Sequence, residues 1–222
     1  MGAFKIGVGL LCGVGLLAAC HPANTSSNST DAQADRSAGA EIGRLRARVE
    51  TLSHQRATPD QAINSYFEAV DVQEQLSCHE SAADRDSASG AAQHDTSVIA
   101  DAFFHGQALE SRRKYRRDLS DCLQQRSRYA LDLNDVHMDT PTHATIIANV
   151  RNETPIPPAA VASDDDRRHR RDGEDFKIQL TKLADGWRIE QVYSHLFGST
   201  EWRAQFAAED YFPSFVLFPT AP

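Results

Sequence analysis

The first half of the chain carries apolar residues at helical spacing. Thr58 can cap a helix whose first residue is Pro59, and an apolar face follows at Ile63, Tyr66, Phe67 and Val70. This spacing predicts a helix from residue 59 to about residue 78. The small polar residues at 80–95 predict a loop, and a second apolar pattern predicts a longer helix over residues 96–127.

The spacing of the apolar residues changes to two after residue 128, which is typical of β-strands. Four strands are predicted, and they begin near Tyr129, Ala144, Phe176 and Trp187. In the first strand, Val136 and Met138 are out of phase with the apolar residues before them, so we expect a β-bulge near Asn134. Asp185-Gly186 predicts a hairpin turn, and the mixed charge at 152–175 predicts a solvated loop.

The order of these elements predicts an α+β domain over residues 58–195, in which two long helices pack on a four-stranded antiparallel meander sheet. Residues 41–57 are expected to form a short amphipathic helix, with apolar residues at 42, 45, 49 and 52. This helix either packs on the domain, which we favour, or forms a short self-associating stalk. Residues 20–40 predict a disordered tether. The extension at 196–222 is expected to begin with a short helix capped at Ser199.

Two segments resemble a known fold family. "TPDQAINSYFEAV" opens the first predicted helix and "FKIQLTKLADGWRIEQVYS" closes the predicted sheet, and both resemble the nuclear transport factor 2-like (cystatin-like) α+β family. The resemblance implies a cone in which helices and a curved sheet surround a pocket. It also implies two functional classes, namely small bacterial lipoproteins without known activity and pocket enzymes of the ketosteroid isomerase or polyketide cyclase type.

An enzyme of the second class needs a carboxylate base and a hydrogen-bond donor that holds an enolate oxygen. Tyr66 and Tyr129 are the candidate donors, and Asp132 and Asp135 are the candidate bases. Both tyrosines also fit a packed core, and Asp132 stands between apolar residues, which predicts that it faces solvent. We therefore favour a non-enzymatic domain and keep the isomerase or cyclase type as the alternative.

The start of the chain has the pattern of an export signal. Lys5 precedes about 14 apolar or small residues, fewer than the ~20 that a helix needs to cross a bilayer. Leu17-Ala18-Ala19-Cys20 resembles the lipobox of bacterial lipoproteins. The resemblance implies that residues 1–19 are removed and that Cys20 carries the lipid that holds the protein on a bilayer. His21, where an Asp would favour the inner membrane, implies the outer membrane and a position facing the periplasm.

The four cysteines fit an exported protein. Cys12 would leave with the signal and Cys20 would carry lipid, so Cys78 and Cys122 remain. In an oxidising compartment these two are expected to form a disulfide bond that closes a loop of roughly 44 residues. The alternative is two buried free thiols.

The charge and the motifs of the sequence limit which partners and cofactors we expect this chain to bind. A net charge of −8 argues against nucleic acid, which needs clustered positive charge. The basic residues at 112–117 predict a solvated helix face, with binding to anionic lipid head groups as the alternative. His137, Asp139 and His143 flank a predicted turn, but we expect no metal there because the two histidines would lie on different faces. We expect no other cofactor.

The C-terminal extension is unusually apolar. Residues 211–218 include Tyr211, Phe212, Phe215 and Phe218. This segment either folds back and closes the cone or docks on a partner protein of the envelope. The candidate residues for binding a protein or an apolar ligand are these four aromatic residues together with Tyr66, Tyr129 and Trp187. The sequence as a whole predicts a non-enzymatic, lipid-anchored envelope protein.

Overall fold

The computed structural model describes residues 27–84, 97–114, 128–156, 161–195 and 200–205. The fold over these residues is α+β, as the sequence predicted, and its sheet is antiparallel with five strands. The helices are α1 (Ser27–Ser53), α2 (Pro59–Asp84), α3 (Ser97–Phe103), α4 (Gly106–Lys114) and α5 (Asp164–Asp172). The strands are β1 (Tyr129–Thr140), β2 (His143–Asn152), β3 (Glu174–Leu183), β4 (Gly186–His195) and β5 (Trp202–Ala204). Each strand pairs with the next one along the chain.

One face of the sheet forms the core together with the helices. Successive side chains of a strand point to opposite faces, and the buried apolar residues of the three central strands are Ala144, Ile146, Ala148, Val150, Phe176, Ile178, Leu180, Trp187, Ile189 and Val192. Tyr66 of α2 is 0% exposed. Its ring packs edge to face against Phe103 and Phe104, with centroids 5.7 and 5.2 Å away. The helix side of the sheet is therefore filled by aromatic side chains at this point.

Helix α1 is longer than the sequence predicted. It begins at Ser27 and ends at Ser53, so the disorder predicted for 20–40 is wrong from Ser27 onwards. A helix that has formed one turn gains a backbone hydrogen bond with each further residue, and residues 27–40 contain no proline to stop it. Leu45, Val49 and Leu52 are buried in the core, as expected if this helix packs on the domain.

The single helix predicted over 96–127 is wrong in its described part. Helix α3 ends at Phe103 and α4 begins at Gly106. Between them, Phe104 forms a parallel bridge with Ile189, and the N–H of His105 donates to the Ile189 carbonyl over 2.9 Å. Gly106 has a φ of 59°, a conformation that favours glycine. Pairing with the sheet therefore interrupts the helix.

The fifth strand replaces part of another predicted helix. The sequence predicts a helix from Ser199 that includes Trp202, whereas Trp202–Ala204 form β5 and pair with Tyr193–His195 of β4. This pairing satisfies backbone groups that would otherwise lie at a bare sheet edge, and it outweighs the local helical pattern. Residues 206–222 lie outside the described residues.

The irregular features of the sheet are partly those predicted. The register of β1 against β2 shifts between Leu133 and Asp135, which confirms the bulge.

The loop predicted over 152–175 is wrong at α5. Aspartates at the start of α5 and basic residues in its last turn match the helix dipole. Gly173, with a φ of 72°, follows the helix as a C-terminal cap.

A buried arginine joins the α1–α2 loop to the turn between β3 and β4. Arg56 is 4% exposed, and its guanidinium donates to the Ala102 carbonyl and, over 3.2 Å, to Oδ2 of Asp185. Arg188 donates to the same carboxylate, and this hydrogen bond is the main cause that lowers the pKa of Asp185. Burial lowers the pKa of Arg56. The cluster holds the turn against the end of α3.

Candidate partner-binding edge

The aromatic residues proposed for binding fall into three groups. Tyr66 and Trp187 lie in the core, at 0% and 2% exposed. Tyr129 is half-buried at the start of β1 and packs against the core. The four aromatic residues of the C-terminal extension, Tyr211, Phe212, Phe215 and Phe218, lie outside the described residues. Among the described candidates, only Tyr129 therefore reaches the surface.

The predicted lipid and disulfide attachments fall largely outside the described residues. Cys78, near the end of α2, is disulfide-bonded. Its partner is not among the described residues, so pairing with Cys122 stays a prediction, and so does lipidation of Cys20. None of the described helices is long and apolar enough to cross a bilayer.

The carboxylates proposed as a catalytic base do not lie beside Tyr66. Asp132 and Asp135 are exposed on β1, and Asp132 forms an ion pair with Arg151 of β2. Both carboxylates extend from the face of the sheet that points away from the helices, whereas Tyr66 lies on the helix side. These residues therefore do not assemble the donor and base that the enzyme alternative requires.

The histidines near the β1–β2 turn have local polar partners. Nε2 of His137 lies 3.7 Å from Oδ1 of Asp139. Nδ1 of His143 lies 3.2 Å from the hydroxyl oxygens of both Thr140 and Thr142. Across the described parts of the chain, no three histidine, cysteine, aspartate or glutamate side chains form a group that could hold a metal ion.

The basic residues at 112–117 are described only at their start. Arg113 is exposed and pairs with Asp101 over 2.7 Å, as a solvated helix face predicts. Arg112 is buried, so the prediction of a solvated face is wrong at this position. Its long side chain lies on the side of α4 that packs on the rest of the domain.

The outer edge of β4 is covered by the chain itself. The N–H of Trp187 donates to the Arg56 carbonyl over 2.9 Å, and the Ile189 carbonyl accepts from His105. The Val192 carbonyl accepts from the N–H of Gln205 over 2.7 Å, and β5 pairs with the last residues of β4. Backbone groups along this edge are thus bonded from its first residues to its last.

The outer edge of β1 is different. Strand β1 is the first strand of the sheet, and within the described residues it pairs only with β2. All residues from 134 to 140 are exposed. Two of them are large and apolar, Val136 at 41% exposed and Met138 at 47%. This exposed stretch, residues 134–140, is called the edge segment below.

Comparisons with protein-family models, with curated proteins and with solved structures find no match for this chain. The edge segment is the candidate binding site of this chain.

The register identifies the backbone groups that point outwards from the edge segment. In an antiparallel sheet, alternate residues of a strand direct both backbone groups to the same neighbour. The N–H of Lys182 in β3 donates to the Thr142 carbonyl, so the even-numbered residues of β2 bond to β3. Val136 and Met138 pair with even-numbered residues of β2. Their own N–H and C=O groups therefore point to the open edge.

The other face of the edge segment is acidic. Asp135, His137 and Asp139 alternate with the two apolar residues, and β1 contains no lysine or arginine. Asp139 accepts a hydrogen bond from the Thr145 hydroxyl over 2.8 Å. Asp135 forms no hydrogen bond or ion pair with any described residue. The edge segment thus combines two apolar side chains with outward backbone groups and a carboxylate that have no partner among the described residues.

The alternation of apolar and polar residues reveals the two faces of a strand but not which strands lie beside it, so the sequence analysis did not identify this edge. A signal was present in the residues. Val136 and Met138 follow the bulge, and Asp135 and Asp139 flank them. A long first strand with that composition is a candidate for an exposed edge.

Proposed function

We propose that this chain is a lipid-anchored protein of the bacterial cell envelope and that its α+β domain binds another protein without catalysing a reaction. Cys20 attaches it to the outer membrane, where it faces the periplasm. The lipobox-like residues before Cys20 support this anchor. The observation that carries the binding role is the edge segment, where Val136 and Met138 are exposed on a strand whose outer side no described residue pairs with.

The same proposal includes a nuclear transport factor 2-like fold. The order of helices followed by meander strands supports it, and in that family the pocket lies on the helix side of the sheet. On this side the rings of Tyr66, Phe103 and Phe104 pack against one another and are buried. A filled core favours binding at the surface over catalysis, or over an apolar ligand, inside the cone.

The anchor is tested by metabolic labelling with radioactive palmitate. We expect the parent protein to incorporate label and to sediment with membranes, because the thiol of Cys20 is the predicted site of lipid attachment. Cys20→Ser should lose the label and leave the membrane fraction. Cys12→Ser, which changes a cysteine inside the predicted signal, is the matched control and should keep the label. An unlabelled parent, or a labelled Cys20→Ser variant, would contradict the anchor.

We also propose that the apolar residues at 211–218 help to bind the partner. Deletion of residues 211–222 should remove a complex that is captured by crosslinking in intact cells, while the urea midpoint of the domain stays unchanged. Deletion of 219–222 alone is the control, since it shortens the chain and keeps every aromatic residue. Unfolding of the longer deletion would instead assign this segment to the core.

A further inference from the structure

We propose that the edge segment binds an extended stretch of a partner protein by strand addition, and that this stretch alternates apolar and basic residues. The inference rests on the proposed binding function and specifies its site and the chemistry of the partner. In strand addition, main-chain hydrogen bonds supply affinity and alternate side chains supply specificity.

The backbone of the edge segment is ready for such pairing. Val136 and Met138 direct two N–H and two C=O groups outwards, as the register of β1 and β2 requires. Seven residues in a strand extend over about 23 Å, which gives room for a short added strand. Equivalent groups on the outer side of β4, at Trp187, Ile189 and Val192, bond to other parts of this chain. Within the described residues, the outer side of β4 is therefore covered by hydrogen bonds and the outer side of β1 is not.

The side chains define the partner's composition. A strand added beside β1 continues both faces of the sheet. Its residues next to Val136 and Met138 would lie on the helix side and should be apolar, because these two side chains are exposed there. Its intervening residues would lie beside Asp135 and His137 on the other face. Cross-strand pairs of opposite charge are favourable, so the partner's residues beside Asp135 and beside Asp139 should be lysine or arginine.

Charge favours a different protein over a second copy of this chain. Strand β1 carries Asp132, Asp135 and Asp139 and no lysine or arginine. Asp132 is already paired with Arg151. Pairing two β1 edges would bring Asp135 and Asp139 of both copies onto one face, where β1 supplies no arginine or lysine to compensate them. The net charge of −8 adds repulsion between copies. A partner segment that alternates basic and apolar residues would cause neither of these two repulsions.

The experiment measures the binding of a fluorescein-labelled synthetic peptide to the full-length protein in a non-ionic detergent, by fluorescence anisotropy. The probe alternates lysine and valine over about nine residues, enough to cover the edge segment. The control peptide alternates glutamate and valine. We expect saturable binding of the lysine peptide, and binding of the glutamate peptide that is weaker by at least about tenfold.

Two pairs of variants test whether the lysine peptide binds at the edge segment. Val136→Pro removes an outward N–H and should weaken binding of the lysine peptide by about tenfold or more, whereas Val136→Ala keeps that N–H and should lose less. Proline is tolerated at an edge position whose N–H is free. Asp135→Lys should weaken the lysine peptide by about fivefold and strengthen the glutamate peptide. Glu190→Lys makes the same charge change on β4 and should leave the affinity of both peptides unchanged.

Several results would overturn this inference. One is equal affinity of the protein for the two peptides, and another is an equal effect of Asp135→Lys and Glu190→Lys on that affinity. A third is failure of the lysine peptide to bind, which would mean that the bulge and the aspartates only protect the edge from pairing. A dimer of the parent that Val136→Pro dissociates would assign the edge to a second copy. If the lysine peptide does not bind while palmitate labelling and the crosslinked complex persist, the proposed function stands and the binding site for the partner lies elsewhere in the chain.

Discussion

Replacement of Tyr66 by alanine is expected to lower the free energy of unfolding by about 4 kcal/mol. The ring is fully buried between α2, α3 and the sheet and packs edge to face against Phe103 and Phe104. Truncation removes these contacts and leaves a cavity that surrounding rings fill only in part. Equilibrium unfolding in urea, followed by circular dichroism, measures the change.

The matched control is Tyr66→Phe. It keeps the ring and its aromatic contacts and should cost only about 1 kcal/mol. This pair also separates the two roles considered for Tyr66. A core residue makes the alanine variant far less stable than the phenylalanine variant. If Tyr66→Ala costs less than about 1 kcal/mol, the ring does not support the core, and a role in ligand binding has to be reconsidered.

Replacement of Gly186 by alanine is expected to cost about 3 kcal/mol. Gly186 has a φ of 130°, which side-chain-bearing residues rarely adopt, and a Cβ there would lie 2.7 Å from the Arg56 carbonyl oxygen. That oxygen accepts the hydrogen bond from Trp187. Relief of the clash must therefore move backbone, and it would uncover the start of the β4 edge. We expect a lower urea midpoint together with self-association in sedimentation velocity.

Gly106→Ala is the control for this prediction. Gly106 also has a positive φ, 59°, but a Cβ there would meet no atom within 4 Å. Its replacement should cost about 1 kcal/mol through backbone strain alone, with no change in association. Equal losses at the two glycines would mean that the contact with Arg56 has no energetic weight.

Much of the fold is predictable because its signals are local. The period of two after residue 128, the bulge marked by the phase change of Val136 and Met138, and a tight turn between β3 and β4 each depend on a few neighbouring residues. The turn lies one residue earlier than predicted, at Ala184-Asp185, because Gly186 already pairs with Leu183. The burial of Leu45, Val49 and Leu52 follows from their helical spacing for the same reason. Of the candidate site, the sequence analysis named Val136 and Met138 only as markers of the bulge and Asp135 only as a candidate base, so it did not identify the edge segment as a binding site.

Two errors of prediction share one cause, which is backbone pairing between distant parts of the chain. His105 bonds to Ile189 and interrupts a continuous helical pattern, and Trp202 pairs with His195 where a helix was expected. A residue's apolar or polar character carries no information about such partners. The charged helix α5 was missed for a different reason, since high mixed charge resembles a solvated loop.

The sequence by itself determined the class of the fold, the direction of the strand faces and the residues that can enter the core, because side-chain periodicity encodes them. Only the tertiary structure decided that the outer side of β4 is covered and that the outer side of β1 lacks a partner among the described residues. Arg56, His105 and Gln205 reach the β4 edge from three separate parts of the chain, and no described residue does the same for β1. Coverage of the β4 edge depends on hydrogen bonds between backbone groups, which are the same in almost every residue, so the side chains of the covering residues do not reveal it.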